Sequence, residues 1–288
     1  MLIGMPNMDR SVEFISADLA PGDARASELD CRKLDVARIQ SRQDPLFEPA
    51  YERLWAEFGA QHEMEQQDVI ARRLDWHPAF AMGDYWLRYE IILVRQRGEF
   101  VATRDHTAVV VHRGSAAHAV VHLSHVLVDP AWRRTGLAGW LRAWPIQTAR
   151  ACLAVAGCPA DAPITLVAEM EHPDARFPNR MIRLKSYEKA GFKKVDPDVV
   201  KYFQPDFRPL AEIDASGGPR PLPFSLIVRR VGREHEGTIY GQEVRDIVTA
   251  LYQMYGSGFR EQAMTGLWES LREYPAADAQ VALLPPTK

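Results

Sequence analysis

The sequence predicts a mixed α/β fold with a mostly antiparallel central sheet flanked by helices. Residues 86–94, 100–104, 108–111 and 119–128 are rich in Val, Ile, Tyr and His. Turn residues at Arg97-Gly98 and Arg113-Gly114 separate them, which is the pattern of an antiparallel meander. Helical and strand patterns alternate after this meander, which implies a locally parallel strand pair as well.

The N-terminal residues are predicted to form an extension followed by a pair of helices. Residues 1–45 are polar and rich in turn residues, with one strand candidate at 34–39, so they are expected to form an N-terminal extension that contains the first strand. Apolar residues then recur at helical spacing at 47–58, and a second helix is expected at about 63–74.

The central part, 46–232, is expected to be the main domain. The meander ends at Asp129-Pro130, and an apolar stripe predicts a helix from Thr135, which Pro145 should kink or interrupt. A buried strand at 164–169 and a helix at 179–190, ended by Gly191, complete the alternation. Residues 196–223 are expected to form a long loop before a strand at 224–231.

The C-terminal part, 233–288, is expected to be a helical extension. Two apolar helical stripes lie within 241–273 and are separated at Gly256-Ser257-Gly258. This segment has no convergent set of catalytic residue types, so we expect a structural role or the contact surface of a homo-oligomer. The pattern gives no role to the final residues, 281–286.

Composition restricts the class of protein. The net charge is −3, which gives no reason to expect a nucleic-acid partner. No basic stretch followed by an apolar run starts the chain and no window has 18 consecutive apolar residues, so we expect no membrane contact and a cytoplasmic location. Three cysteines and no clustered ligand motif predict buried free thiols and no catalytic metal.

The segment 126–139 predicts a site for an anion. It joins a strand to a helix through a turn with small residues at Gly136, Ala138 and Gly139. The first four N–H groups of a helix have no partner within the helix and point where the helix dipole is positive. Gly136 and Ala138 would let a phosphate approach the backbone, while Arg133 and Arg134 add charge at the rim.

Two motifs resemble the GNAT superfamily of N-acyltransferases. The first is Val-x-Val-Asp-Pro-x-x-Arg-x-x-Gly-x-Ala from Val126 to Ala138, and the second is Tyr-Glu-Lys-Ala-Gly-Phe from Tyr187 to Phe192. The similarity covers about 118–195 closely and about 47–232 more loosely. It implies a central, mostly antiparallel sheet with one splayed strand pair, and acetyl-CoA as the acyl donor.

The resemblance also implies which residues bind the donor. The backbone of Val126, Leu127 and Val128 would pair with the pantetheine arm, and the pyrophosphate would be held by Arg133, Arg134, Thr135, Gly136, Leu137, Ala138 and Gly139. Many relatives have an Asn seven residues before the Tyr. Here that position is Arg180, and the neighbouring Asn179 is the candidate for the contact.

The same family's reaction is direct attack of an amine on the thioester, for which a base and an acid are useful. Tyr187 is the candidate acid for the CoA thiolate, and His122 is the candidate base. Glu169 closes the next strand and could reach the cleft, as could His125 and Glu171. An ordinary packed histidine and a core tyrosine are the alternatives for His122 and Tyr187.

The acceptor stays open at this stage. The carboxylates Glu48, Glu52, Glu57, Glu63, Glu65 and Asp68 would border the acceptor site and favour a cationic amine, although a solvated helix face explains them as well. The sequence thus favours an acetyltransferase for the primary amine of a small molecule. A peptide or protein N-acetyltransferase and a non-catalytic acyl-CoA-binding module are the alternatives.

Overall fold

The computed structural model describes residues 12–113, 116–174 and 176–288. The strands are β1 Asp35–Ile39, β2 Phe80–Met82, β3 Tyr85–Gln96, β4 Glu99–Arg113, β5 Ala116–His122, β6 Val126–Val128, β7 Ile164–Met170, β8 Lys193–Val195, β9 Tyr202–Gln204, β10 Leu222–Arg230, β11 Thr238–Tyr240 and β12 Gln280–Leu284. The helices are α1 Phe47–Phe58, α2 Gln67–Leu74, α3 Leu137–Val155, α4 Pro178–Lys189, α5 Leu210–Ala215, α6 Gly241–Gly256 and α7 Glu261–Ser270.

The strands form one sheet in the order β1-β3-β4-β5-β7-β10-β8-β12-β11, with β2 beside β3, β6 beside β4 and β9 beside β10. β5 and β7 run parallel, and the other pairs are antiparallel. This arrangement confirms the predicted fold class, including the local parallel pair. The turn at Arg97-Gly98 joins β3 to β4 with both residues at positive φ. Of the turn predicted at Arg113-Gly114, Arg113 ends β4 and Gly114 lies outside the described residues.

Helices cover both faces of the sheet. Side chains of α1, α2, α6 and α7 form one large core against the sheet, whereas those of α3 and α4 pack in clusters on the opposite face. Burial of these apolar surfaces is the main force that holds the layers together. The layers place α3 and α4 on one side of the sheet centre and α1 and α6 on the other.

Pro145 does not interrupt α3, although interruption is one of the two expected effects of this residue. The helix continues from Leu137 to Val155 with Pro145 inside it. A proline removes one backbone hydrogen bond, and the packing of both halves of α3 against the sheet offsets this loss because Leu141, Trp144, Ile146 and Ala149 are all buried.

The segment predicted as a long loop, 196–223, contains secondary structure. β9 pairs with β10 and the short helix α5 follows it. These elements are too short to show a period in the sequence, because β9 has only three residues and α5 six, and the pairing partner of β9 lies about 20 residues further along the chain.

The C-terminal segment is built into the sheet and is more than a helical extension. α6 and α7 lie where the two stripes predict them, but β12 pairs with β8 and β11 pairs with β12. α6 contributes Val244, Ile247 and Leu251 to the same core as α1 and α2. Residues 233–288 therefore share their sheet and their hydrophobic core with the preceding part of the chain.

Candidate active site

The central feature of the site is a wedge between β6 and β7. β5 and β7 pair as far as His122 and Val167, and the N–H of Leu123 donates to Val167 O at 2.8 Å. Beyond this point β6 continues along β4, while β7 stays paired with β10 along its other edge, from Thr165 to Met170. The splay that the resemblance implies is confirmed, and it leaves the outer edge of β6 without a strand partner among the described residues.

A β-bulge produces the splay. Three residues, 123–125, join β5 to β6, and they oppose only Asp105 and His106 of β4. The Asp105 carboxylate fixes the bulge because Oδ1 accepts from the backbone N–H of His125 at 2.8 Å and lies 3.0 Å from its Nδ1. Bulges re-aim side chains, and here Ser124 lies at the wall of a cavity in the wedge.

This cavity contacts elements from both faces of the sheet. Arg104, Ala138, Arg142, Ser186 and Tyr187 line it from the α3 and α4 face. The rest of the wall is formed by His122, Glu169, Phe207 and Tyr255, together with Phe58 at the end of α1 and Glu63 and Glu65 in the segment after it. A donor entering from one face and an acceptor entering from the other would meet inside the wedge.

Glu169 is the centre of a buried polar cluster. Its Oε2 accepts hydrogen bonds from Tyr255 Oη at 2.6 Å and Gln204 Nε2 at 2.9 Å, and Oε1 accepts one from Tyr202 Oη. His122 Nε2 lies 2.9 Å from Oε2. Burial alone would raise the pKa of Glu169, but the His122 ring and the hydroxyl donors outweigh it and lower that pKa. Glu169 is thus ionised and fixed in position by its hydrogen bonds.

His122 is oriented by the Glu169 carboxylate. Because an ionised carboxylate only accepts, Nε2 of His122 carries the hydrogen and Nδ1 is left as an acceptor. The hydroxyl of Ser124 lies 3.1 Å from Nδ1. A connected path therefore runs from the cavity through Ser124 and His122 to Glu169.

A second histidine, His125, is held in a charged pair. Burial opposes its charge, but Asp105 outweighs this effect and raises the pKa of His125 to about 9. Its Nε2 donates to the backbone O of Glu63 at 2.7 Å. Both ring nitrogens of His125 are engaged, so it serves as a support for the bulge and is a poor candidate for proton transfer.

Tyr187 reaches the cavity from α4. Its side chain is buried, and Arg104 Nη2 donates to Tyr187 Oη at 3.3 Å. Since the oxygen accepts from Arg104, the phenolic hydrogen is free to be donated elsewhere. Arg104 is 1% exposed, and its Nε and Nη1 find no partner among the described residues, which leaves a positive charge beside the hydroxyl.

The acidic side chains proposed to border the acceptor divide into two groups. Glu48, Glu52, Glu57 and Asp68 are exposed on helix surfaces, while Glu63 and Glu65 line the cavity. Glu65 pairs with Arg73, and Glu171 pairs with Arg180 and Arg183. The Glu63 carboxylate has no such pair among the described residues, and burial together with Glu171 raises its pKa.

The loop before α3 has the predicted strand, turn and helix. Asp129 Oδ1 caps the turn by accepting from Ala131 N at 2.9 Å, and Gly136 has a φ of 97° at the helix N-cap. The backbone N–H groups of Arg134, Thr135 and Gly136 donate to no group among the described residues. Arg133 and Arg134 are exposed at the rim.

The structure brings together some of the predicted site residues. The cavity wall contains Tyr187, His122, Glu169, Val126, Val128 and Ala138. Leu127 and Leu137 instead pack in the hydrophobic core. Asn179 is exposed at the start of α4 and lies outside the cavity wall. Arg180, at the position where relatives carry the Asn, is 3.2 Å from Glu171 and stacks on Phe177.

The backbone at Gly136 and Gly139 is already in contact with another part of the chain. A Cβ at Gly136 would lie 2.5 Å from the carbonyl oxygen of Arg25, and a Cβ at Gly139 would lie 2.7 Å from the Cβ of Ala26. Gly136 and Gly139, which are expected to let a phosphate approach the backbone, are thus packed against residues 23–26, whereas Ala138 is exposed.

Several residues of the site lack a local sequence signal. Ser124, Arg104 and Tyr255 come from a bulge, a long strand and the C-terminal segment, and they meet only through tertiary packing. Near the bulge, the local sequence signal is the group of polar residues His122, Ser124 and His125 at the end of β5.

Two further properties concern the described residues. None of their helices is long and apolar enough to span a bilayer. They contain no group of three or more His, Cys, Asp or Glu side chains placed to hold a metal ion.

Comparison with known proteins returns matches to solved structures only, since no family model and no curated protein matches the sequence. An aminoglycoside acetyltransferase from an uncultured soil metagenomic sample is 14% identical, with 54% of this chain and 87% of that chain covered and a TM-score of 0.31. A GCN5-related N-acetyltransferase from Sphaerobacter thermophilus is 22% identical, with 57% and 44% covered and a TM-score of 0.32.

An acyl-CoA N-acyltransferase from Pseudomonas aeruginosa is 16% identical, with 68% of this chain and 99% of that chain covered and a TM-score of 0.33. These similarities are too low to transfer a substrate or a reaction to this chain. The function is therefore inferred from the strand order, the splay between β6 and β7, and the side chains that line the cavity.

Proposed function

We propose that this chain is an acyl-CoA-dependent N-acyltransferase that moves an acetyl group from acetyl-CoA to the primary amine of a small molecule. The observation that carries the proposal is the wedge between β6 and β7, where Tyr187 and the pair His122–Glu169 line one cavity. A thioester in this wedge would have a proton donor on one side and a proton acceptor on the other.

The donor side supports binding of acyl-CoA. The outer edge of β6 offers backbone groups to an extended pantetheine arm, as in the addition of a strand to a sheet edge. The backbone N–H groups of 134–136, with Arg133 and Arg134 at the rim, suit a pyrophosphate. Acetyl-CoA would supply the activated acyl group, and these residues would bind and orient it.

The acceptor side supports a cationic amine. Glu63 faces the cavity without an ion pair among the described residues, and the rings of Phe58, Phe207 and Phe224 surround the same space. The segment between β8 and β10 reaches the cavity through Gln204 and Phe207, which favours a small molecule over a peptide that needs an open groove.

Proton transfer follows from the hydrogen-bond directions. The bound ammonium group first passes one proton through Ser124 Oγ to Nδ1 of His122, whose orientation Glu169 fixes, and the neutral amine then attacks the thioester carbonyl carbon. As the carbon–sulfur bond breaks, Tyr187 donates its phenolic hydrogen to the CoA thiolate. The proton that the nitrogen loses as the amide forms restores the phenol of Tyr187 after it has protonated the thiolate. The backbone N–H of Ser124, which donates to no group among the described residues, is suited to stabilise the developing oxyanion.

The proposal is tested by incubating the full-length protein with acetyl-CoA and a panel of amines while free thiol is measured. Small cationic amines with an apolar body should release thiol, and acetylated amine should appear in equal amount. Release only with peptides would identify a peptide acetyltransferase. Tight acetyl-CoA binding without thiol release for any amine or peptide would instead identify a non-catalytic binding module.

A further inference from the structure

The N-terminal residues 16–28, which we call the cover, lie across the donor side of the site. At one end Asp18 forms two hydrogen bonds to Arg150 of α3, at 2.9 and 2.6 Å, and its backbone O accepts from Arg229 of β10. A Cβ at Gly22 would overlap the carbonyl oxygen of Lys189 at the end of α4. The cover therefore spans from α3 to α4.

The other end of the cover lies on the first turns of α3. Trp140 Nε1 donates to Ala26 O at 2.7 Å, and Ala26 is 1% exposed. The carbonyl of Arg25 and the side chain of Ala26 contact Gly136 and Gly139. The cover thus occupies the volume beside Gly136 and Gly139 into which a side chain, or a phosphate that approaches the backbone from that side, would extend.

The cover also brings its own anion to the site. Asp23 accepts hydrogen bonds from Arg142 Nε at 3.2 Å and Nη2 at 2.6 Å, and both side chains are about nine-tenths buried. Arg142 lines the cavity beside Tyr187, with its guanidinium 5.8 Å from the Tyr187 ring centre. A phosphate oxygen could replace the carboxylate at Arg142 without leaving that charge unpaired.

We propose that the cover is an autoinhibitory segment that competes with acyl-CoA, with Asp23 taking the place of a phosphate at Arg142. The inference rests on the proposed function, because it requires that acyl-CoA binds at 133–139. The covered state binds no acyl-CoA. The measured association constant therefore equals that of the uncovered state multiplied by the fraction of molecules in which the cover is displaced. Any factor that detaches residues 16–28 then activates the enzyme.

The test combines a variant with an exchange measurement on the full-length protein. Asp23→Asn removes the carboxylate from Arg142 while keeping the size of the side chain, and should tighten acetyl-CoA binding about tenfold by calorimetry. Asp30→Asn is the matched control, since Asp30 pairs with Arg32 and Lys33 on the exposed surface beyond the cover. It should leave the affinity unchanged.

The exchange measurement uses the wild-type protein, so it is independent of how the variants fold. Saturating acetyl-CoA should increase amide hydrogen exchange in 16–28 and decrease it in 133–139. Binding with protection of 133–139 but no increase in 16–28 would overturn the autoinhibitory role and leave the proposed function standing. Failure of both wild type and Asp23→Asn to bind acetyl-CoA would overturn the proposed function itself.

Discussion

Nε2 of His122 lies 2.9 Å from Oε2 of Glu169, and four separate elements fix this pair. His122 is on β5 and Glu169 on β7, while β9 and α6 supply Tyr202, Gln204 and Tyr255 as donors to the carboxylate. A carboxylate with this many donors cannot readily take another proton. The proton acceptor of the pair is therefore His122, through Nδ1, which faces the hydroxyl of Ser124.

Removal of this acceptor should slow the chemical step. In His122→Gln the side-chain amide can still donate to Glu169, but no group takes up a proton, so the single-turnover rate at neutral pH should fall roughly 10²-fold. A rate within threefold of wild type across pH 6 to 9 would show that His122 only packs.

Ser124 is predicted to relay the proton from the amine to His122. Ser124→Ala should lower the single-turnover rate about tenfold while acetyl-CoA affinity, measured by calorimetry, stays the same. Ser225→Ala is a matched control because Ser225 Oγ lies at the same distance, 3.1 Å, from His172 Nδ1, outside the cavity wall. Equal effects of the two substitutions would exclude a relay through Ser124.

Tyr187 is predicted to protonate the departing thiolate. Tyr187→Phe keeps the ring packed against Phe192 and removes only the hydroxyl next to Arg104. The single-turnover rate should fall roughly 10²-fold with little change in acetyl-CoA affinity. Tyr252→Phe removes a buried hydroxyl that donates to Phe203 O and should leave the rate unchanged. An unaltered rate in Tyr187→Phe would assign that side chain to packing.

Glu63 is predicted to bind the cationic amine. Glu63→Gln should raise the KM for a cationic acceptor about tenfold and change the KM for acetyl-CoA little, because the charge it removes faces only the acceptor. Glu57→Gln, on the exposed surface of α1, is the control for a general loss of negative charge. If both variants had the same KM for the amine as wild type, another group would bind its charge.

The sequence predicts the parts of the fold whose signals are local. The helices α1, α6 and α7 follow apolar stripes, and the β3–β4 hairpin follows Arg97-Gly98. Pairing across long separations leaves no such signal. β12 joins β8 almost 90 residues earlier in the chain, and nothing in 281–286 marks a partner there.

The same distinction holds for the site. The loop at 133–139 and Tyr187 can be predicted because each belongs to a contiguous motif, whereas Arg104 and Tyr255 reach the cavity from β4 and α6. The cover is the clearest case. Pro21-Gly22-Asp23 has the composition of a turn, and only the folded chain reveals that Asp23 pairs with Arg142.

The C-terminal segment is predicted to be required for folding. A chain ending at Gly232 would lose α6 from the core shared with α1 and α2, and β8 would lose β12. The exposed apolar surface should make it insoluble or unfolded, which circular dichroism and gel filtration would reveal. A soluble, cooperatively folding truncated protein would show instead that 233–288 is a separable addition.

The last prediction concerns the stability of the bulge as a function of pH. Asp105 raises the pKa of His125 to about 9 in the folded protein, compared with about 6.5 in an unfolded chain. The protonated ring therefore favours the folded state. This contribution is fully present below about pH 6.5 and is lost as pH rises through about 9, for a total on the order of 3 kcal/mol.

Chemical denaturation at a series of pH values between 6 and 10 should reveal this loss in the free energy of unfolding of the wild type. In His125→Gln the amide can still contact Asp105 and Glu63 O but does not titrate, so that protein should be less stable at pH 6 and lack this component of the pH dependence. His62→Gln is the control, because His62 is exposed and lies 4.0 Å from Glu212. Parallel pH profiles for wild type and His125→Gln would show that His125 is not held as a cation, and the bulge would then need another explanation for its stability.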